Sequence, residues 1–261
     1  MKFITSRDNP LFKQLKKLAD SSRERRKAGQ ALLDGAHLVA AYAAVFGEPE
    51  LLILAEGDFS ADVLHVVQDL TEAKQVMFTS GMFSEISPVA TPTGILALVK
   101  TPQLPVPTAP VCVLLLEDIQ DPGNLGSMLR SAAAAGVDAV YLSEGCADAW
   151  SPKALRGGQG AHFVLPIIER ADLLQVIADF SGQTLATSLH GKSLYTLDLR
   201  QPVAFVIGNE GSGLSDAVLN AASQRVHIPM PGNVESLNAA AAAAVCLFER
   251  VRQTQVLGTS C

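Results

Sequence analysis

Two apolar runs near the C-terminus each end in a glycine-bearing polar loop that leads into a helix start. They are residues 206–214 (VIGNEGSGL) and residues 228–240 (IPMPGNVESLNAA). Strand, loop and helix in that order form the unit of a parallel α/β sheet. Two such units so near in sequence place two backbone-rich loops side by side at one sheet edge. Glycines let main-chain groups approach a flat ligand with no Cβ in the way. Glu210, Ser236 and Asn238 supply polar side chains at the junctions, and the second loop opens a long alanine-rich helix from Ala239. This is the layout of a small-molecule or cofactor pocket.

The preceding sequence divides into two modules. In the first, to about Lys100, residues 10–28 read as one basic helix. Strands follow at Ala31–Asp34, Leu51–Ala55, Gln75–Thr79 and Ile95–Val99, with helices at His37–Phe46, Ala61–Leu70 and Gly81–Ser87. That alternation predicts a small α/β sandwich. Residues 101–110 (TPQLPVPTAP) carry four prolines and read as a semi-rigid linker. The second module, 111–261, opens with Val111–Leu116, a run apolar on both faces as a central parallel strand requires. Further strands are expected at Ala139–Leu142, His162–Pro166, Thr184–Thr187, Val203–Ile207 and Arg225–Ile228. Helices are expected at Leu125–Ala135, Ala171–Phe180, Leu214–Ala222 and Leu237–Gln255. The pattern predicts an α/β domain with a mostly parallel sheet.

The charge is unevenly placed. The net charge is −6, yet residues 1–30 carry +6 and the remainder −12. A basic arm on an acidic body points to a local polyanion contact. Its candidates are Arg7, Lys13, Lys16, Lys17, Arg23, Arg25, Arg26 and Lys27. A solvated amphipathic helix, with Leu11, Leu15 and Leu18 as its apolar face, is the plainer reading of the same residues. The four cysteines (Cys112, Cys146, Cys246, Cys261) are scattered and the five histidines lack metal spacing, so neither a disulfide framework nor a metal site is expected. A reducing cytoplasm fits this usage. The longest apolar stretch, Ala239–Phe248, is half a membrane span, and the N-terminus has no signal-peptide pattern.

A third junction lies after the first strand of the second module, where Asn124, Gly126 and Arg130 follow the pattern N-x-G-x-x-x-R. Each residue alone has a structural reading. Asn124, Ser236 and Asn238 are good helix caps, Glu210 suits a helix N-terminus, and arginine is common on helix surfaces. The three junctions together, in this order, resemble the three motifs of the SpoU-type (TrmH-like) RNA ribose 2′-O-methyltransferases. Residues 151–163 (SPKALRGGQGAHF) and 186–191 (ATSLHG) are similar to that family's intervening segments. Residues 5–11 (TSRDNPL), 23–27 (RERRK) and 33–35 (LDG) resemble the accessory RNA-binding domain many members carry. The resemblance covers nearly the whole chain. Its one departure is alanine where a Ser/Thr-rich stretch usually follows Ser236-Leu237-Asn238.

The resemblance implies a trefoil-knotted, mostly parallel sheet with helices on both faces in 111–261, after a smaller ribosomal-protein-like RNA substrate-binding domain in 1–100. It implies a homodimer, and S-adenosylmethionine as cofactor against the backbones of Gly208, Ile228 and Leu237. Asn209, Gly211 and Met230 lie on the same loops, with Thr187, Ser188 and Leu189 nearby. It assigns Arg130 to activating the ribose hydroxyl. A guanidinium is hard to deprotonate, so a phosphate clamp and alkoxide stabiliser comes before a general base. Asn124, Ser236 and Asn238 would hold the ribose and the loops, and Glu210 would orient Arg130 or Asn124. No metal is required. The expected function is methyl transfer to a ribose 2′-hydroxyl of RNA in the cytoplasm, ribosomal RNA being favoured over transfer RNA. Transfer-RNA methylation and a non-catalytic RNA-binding protein are the alternatives. A nicotinamide enzyme would need G-x-G-x-x-G where this chain has only Gly123 and Gly126.

Overall fold

The computed structural model describes residues 1–87, 89, 92–232, 234 and 236–255. Cys261 and the loop residues Asn233 and Glu235 lie outside the described residues. Two compact units emerge, one of 1–102 with 150–163, the other of 103–149 with 164–261.

The first unit begins with β1 (Lys2–Ile4) and α1 (Pro10–Asp20). Asn9 caps α1 by accepting from Leu11 N at 2.9 Å, and Pro10 starts it where an N–H has no intrahelical partner anyway. Phe12, Leu15 and Leu18 form its buried stripe. The expected single helix over 10–28 is two, because Ser21 ends α1 in an extended conformation and caps α2 (Ser22–Ala28) through Glu24 N. Then follow β2 (Gln30–Asp34), α3 (Ala36–Phe46), β3 (Leu51–Ala55), α4 (Ala61–Asp69), β4 (Lys74–Phe78), α5 (Ser80–Ile86) and β5 (Ile95–Lys100). The sheet order is β1-β4-β3-β5-β2, with β1, β4 and β3 parallel and β5 antiparallel to both neighbours. Phe12 meets Phe78 edge-on at 5.5 Å in a core shared with Leu15, Ile53 and Leu96.

The second unit contains β6 (Cys112–Leu116), α6 (Pro122–Ala134) and β7 (Ala139–Leu142). The chain then forms α7 (Pro152–Gly158) and a short 3-10 turn at Ala161–Phe163, both grouped with the first unit. It returns through β8 (Ile167–Ile168), α8 (Leu173–Asp179), β9 (Gln183–Ser193), β10 (Val203–Ile207), α9 (Asp216–Ala221), β11 (Gln224–His227) and α10 (Ala239–Gln255). Every pairing in the order β11-β9-β10-β6-β7-β8 is parallel. β6 and β10 are buried along their whole length, as their two-sided apolar sequences require. Leu173, Ile177 and Val218 of α8 and α9 cover the face carrying Val113, Leu115 and Val206. α10 lies along α6 and against β10.

Three expectations change. The strand expected at His162–Pro166 is the turn at Ala161–Phe163 followed by the two-residue β8. Gln159 and Gly160 take positive φ (47° and 92°), which breaks extension. Phe163 then packs edge-on against Tyr42 of α3 at 5.5 Å, and His162 is buried beside Trp150. Helix α7 had no forecast, although Ser151 caps it and Pro152 opens it. Finally, the chain parts at 102/103, inside the expected linker 101–110, but 150–163 joins the first unit.

Arg25 is 5% exposed, and its Nη1 donates to the carbonyls of Leu18 (2.5 Å) and Ala19 (2.9 Å). It satisfies the last turn of α1 just where Ser21 breaks the helix. Arg25→Ala is therefore expected to lower stability by about 2–3 kcal/mol, since buried carbonyls lose a charged donor. Exposed Lys17→Ala is expected to stay within about 0.5 kcal/mol. Denaturant unfolding of both variants checks this.

Candidate functional site

Parallel register brings three loop starts to one sheet edge. Leu116 of β6 pairs with Ile207 of β10, Ala186 of β9 with Val206, and Arg225 of β11 with Ala186. Glu117, Thr187 and Gly208 therefore emerge together at the C-terminal edge, where the chain leaves β6 and β10 in different directions. In open parallel sheets that is the place where ligands bind. In β9 the pairing jumps from Ala186 to Lys192 between consecutive residues Arg225 and Val226 of β11. Residues 187–191 thus bulge out at this same edge.

The three sequence junctions meet here through side chains. Asp121 caps α6 by accepting from Asn124 N at 2.8 Å. Asn124 is therefore not the cap, and its carboxamide is free for other work. Its Nδ2 donates to Glu210 Oε1 at 2.6 Å, and its Oδ1 accepts from Asn238 Nδ2 at 3.1 Å. Asn238 Oδ1 caps α10, accepting from Ala240 N (2.9 Å) and Ala241 N (3.3 Å). The cap fixes which end of Asn238 faces Asn124. That in turn leaves Asn124 Nδ2 to donate to the carboxylate, which can only accept. One polarity runs through all three groups, from a helix N-terminus to a carboxylate.

The loop after β10 is closed on itself. Asn209 and Gly213 exchange backbone hydrogen bonds (3.2 and 3.0 Å). Asn209 Oδ1 accepts from Gly211 N and Ser212 N, and its Nδ2 donates to Asp118 O at 2.8 Å. The Asn209 carboxamide, expected among the cofactor contacts, is thus spent on bracing the loop. Thr187 Oγ1 donates to Val206 O at 3.0 Å, and Ser188 Oγ bonds the His190 backbone. Leu189 (62%) and Leu237 (39%) are exposed, Gly211 is exposed, and Ile228 and Met230 are half-buried. What this edge offers a ligand is therefore apolar side chains and main chain.

Arg130 is exposed, off the buried face of α6 formed by Leu125, Met128, Leu129 and Ala132. Among the described residues it has no hydrogen-bond or ion-pair partner, and Glu210 orients Asn124 rather than Arg130. Ser236 is likewise exposed with no hydrogen bond among the described residues. Burial raises the thiols of Cys246 (to about 12), Cys112 (to about 11) and Cys146. None of these three is a thiolate nucleophile near neutral pH.

In the first unit the basic residues separate into groups. Arg25 is withdrawn from the candidate RNA contacts, being buried on the end of α1. Arg7 (2.6 Å) and Lys16 (2.9 Å) share Glu85, and Lys13 pairs with Asp8 at 2.8 Å. Hydrogen bonding to Lys16 and Arg7 holds the Glu85 carboxyl below its usual range. Lys17, Arg23, Arg26 and Lys27 are exposed and lack an acidic partner among the described residues.

Sequence reasoning missed Asp121 as the cap and Glu117 and Asp118 as partners of the second loop. Asp121-Pro122 carried a signal, since a capping residue followed by proline marks a helix start. The partners of the second loop carried none, because they depend on which strands become neighbours.

The sequence model of the SpoU rRNA Methylase family matches residues 111–248. That of the MRM3-like substrate binding domain matches residues 9–97. The chain is 35% identical over 253 residues to the 23S rRNA (guanosine(2553)-2′-O)-methyltransferase RlmP of Bacillus subtilis, covering 95% of this chain and 98% of that protein. It is 30% identical to the mouse mitochondrial rRNA methyltransferase 3, covering 89% and 69% of the two chains. The crystal structure of the SpoU methyltransferase AviRb from Streptomyces viridochromogenes with the cofactor AdoMet superposes with a TM-score of 0.85 at 27% identity, covering 94% and 98%.

A Cβ added at Gly208 would lie 2.5 Å from both Gly213 O and Leu214 N, which are backbone atoms of the closed loop. Gly208→Ala is expected to lower stability by about 1–3 kcal/mol or to spread the loop. Thermal unfolding, with amide exchange at Gly211 and Ser212, distinguishes the two.

Proposed function

Since the chain belongs to the SpoU rRNA methylase family, and its second unit has that family's trefoil-knotted parallel sheet, we propose the following division of work at its site. The protein transfers a methyl group from S-adenosylmethionine to a ribose 2′-hydroxyl of RNA. The RNA is ribosomal, as it is for the relatives named above. The observation that supports the assignment of residues is the hydrogen-bonded join of Asn124, Glu210 and Asn238, with Arg130 exposed on the helix that carries Asn124 and without a partner among the described residues.

The fit to the cofactor rests on the same edge. Glycines at 211 and 213 bring backbone to the surface, and Leu189 and Leu237 present apolar area to an adenine. Bound S-adenosylmethionine supplies a sulfonium-activated methyl group that needs no protein acid. The chain's own task is then to align a poorly nucleophilic hydroxyl with that methyl and to ease its proton loss. Arg130, always cationic, holds the adjoining phosphate and stabilises charge developing on the ribose oxygen. Asn124 and Asn238 fix the loops around the ribose, with Ser236 available as a further donor or acceptor, and Glu210 sets the orientation of Asn124.

Lys17, Arg23, Arg26 and Lys27 of the first unit are assigned to RNA phosphates; Arg7, Lys13 and Lys16 reach them only by exchanging an acidic partner. We also assign a homodimer, supported by exposed Phe248 on α10 (47%). We assign the protein to the cytoplasm, in keeping with its scattered cysteines. No helix among the described residues is long and apolar enough to cross a membrane.

Mapping ribose methylation across total RNA, from cells with and without the gene, tests the function. One site lost from ribosomal RNA is expected, whereas loss confined to transfer RNA would redirect the substrate. Arg130→Ala is expected to slow single-turnover transfer by about 10²–10³-fold while retaining cofactor affinity and melting temperature. Arg130→Lys should recover little, because an ammonium lacks the planar two-pronged donor.

A further inference from the structure

The loop after β10 is fastened to the segment after β6 at four points. Glu117 N donates to Ile207 O at 2.9 Å, where the strands end. Asn209 Nδ2 donates to Asp118 O at 2.8 Å, and Asn124 Nδ2 to Glu210 Oε1 at 2.6 Å. The fourth link lies at the far end of the loop. Glu117 Oε2 accepts from Ser215 N at 2.8 Å, and Glu117 Oε1 accepts from Ser215 Oγ at 2.7 Å. Ser215 Oγ in turn accepts from Val218 N at 3.3 Å and caps α9.

We propose that Glu117 is a positioning residue for methyl transfer, acting through Ser215 on the loop that carries Glu210. This rests on the proposed function of the same edge. Residues 209–213 are closed by their own backbone bonds, so they move as one piece. The orientation of that piece is set at its two ends, Gly208 and Leu214. Gly208 is held by backbone packing against Gly213 and Leu214. Leu214 is held by the residue after it, whose N–H and hydroxyl both end on one carboxylate. Two hydrogen bonds from one residue to two oxygens fix direction as well as distance, and a charged acceptor makes both strong. Tilting the piece displaces Glu210, and Asn124 turns with it. Its hydrogen bond to Asn238 and the alignment of the ribose then degrade. Small misplacements of this kind cost rate far more than binding.

A carboxamide at 117 keeps the shape but loses the charge, and its N–H can meet the Ser215 hydroxyl only by reversing that bond. Glu117→Gln is therefore expected to slow single-turnover transfer at saturating S-adenosylmethionine by about 10–10²-fold. Its KM for the cofactor should stay within about threefold and its melting temperature within about 3 °C. The amide of Ser215, which donates to this carboxylate, should exchange at least tenfold faster. In an Asn124→Ala background the same substitution should cost less than threefold, because the group it acts through is gone. A melting temperature that falls while the rate holds, or an equal rate loss in both backgrounds, would overturn the proposal. If Glu117→Gln fails to fold, Ser215→Ala takes its place in the same cycle. If wild-type protein methylates no RNA, the functional reading fails by itself. The clamp is then judged by amide exchange at Ser215, and unchanged exchange there in Glu117→Gln overturns it.

Discussion

The parallel ladder between Cys112–Leu116 and Val203–Ile207 decides where the functional loops begin. Both strands are buried throughout, so a slip of one residue would turn buried side chains toward the wrong layer. Because the register is so constrained, Glu117 and Gly208 leave the sheet side by side. Everything polar at the site depends on that adjacency. Asn124 is 86 residues from Glu210 and 114 from Asn238, yet the three carry one unbroken hydrogen-bond polarity. Neither amide has a choice of orientation, since the helix cap at one end and the carboxylate at the other set both.

Much of this was visible in the sequence. Strands apolar on both faces stood out, and the glycine-bearing loops after them marked the ligand edge. Asn124, Glu210 and Asn238 could be chosen because three weak patterns agreed in order. Asn238 also shows that one side chain can do two things, as its oxygen caps α10 while its amide nitrogen donates to Asn124. Roles that depend on partners far along the chain were hidden. Asn209 looked like a ligand contact, and its carboxamide braces the loop. Arg25 looked like one more surface cation and is the stopper of α1, because nothing in a linear pattern reveals that Ser21 leaves two carbonyls behind it needing a donor. The break at Ser21 thus decides both the helix count and the number of free cations.

The first unit shows how formal charge overstates what a polyanion meets. Glu85, far from the basic arm in sequence, neutralises two of its members. What remains without an acidic partner among the described residues is concentrated at Lys17, Arg23, Arg26 and Lys27, around the end of α1 and along α2. A short array of this kind orients a nucleic acid rather than merely attracting it, and its contribution weakens as salt rises.

The grouping of residues 150–163 with the first unit bears on how such a protein is assembled from parts. Leu155 and Phe163 are buried there, Phe163 against Tyr42 and Phe46 of α3. The polypeptide accordingly passes between the units three times, at 102/103, 149/150 and 163/164, instead of once through a tether. A cassette cut at the proline-rich stretch would carry away the partners of Phe163 and strand that aromatic ring in water. Exchanging the RNA-reading half between relatives therefore calls for a composite graft, in which a helix from the middle of the gene travels with the beginning.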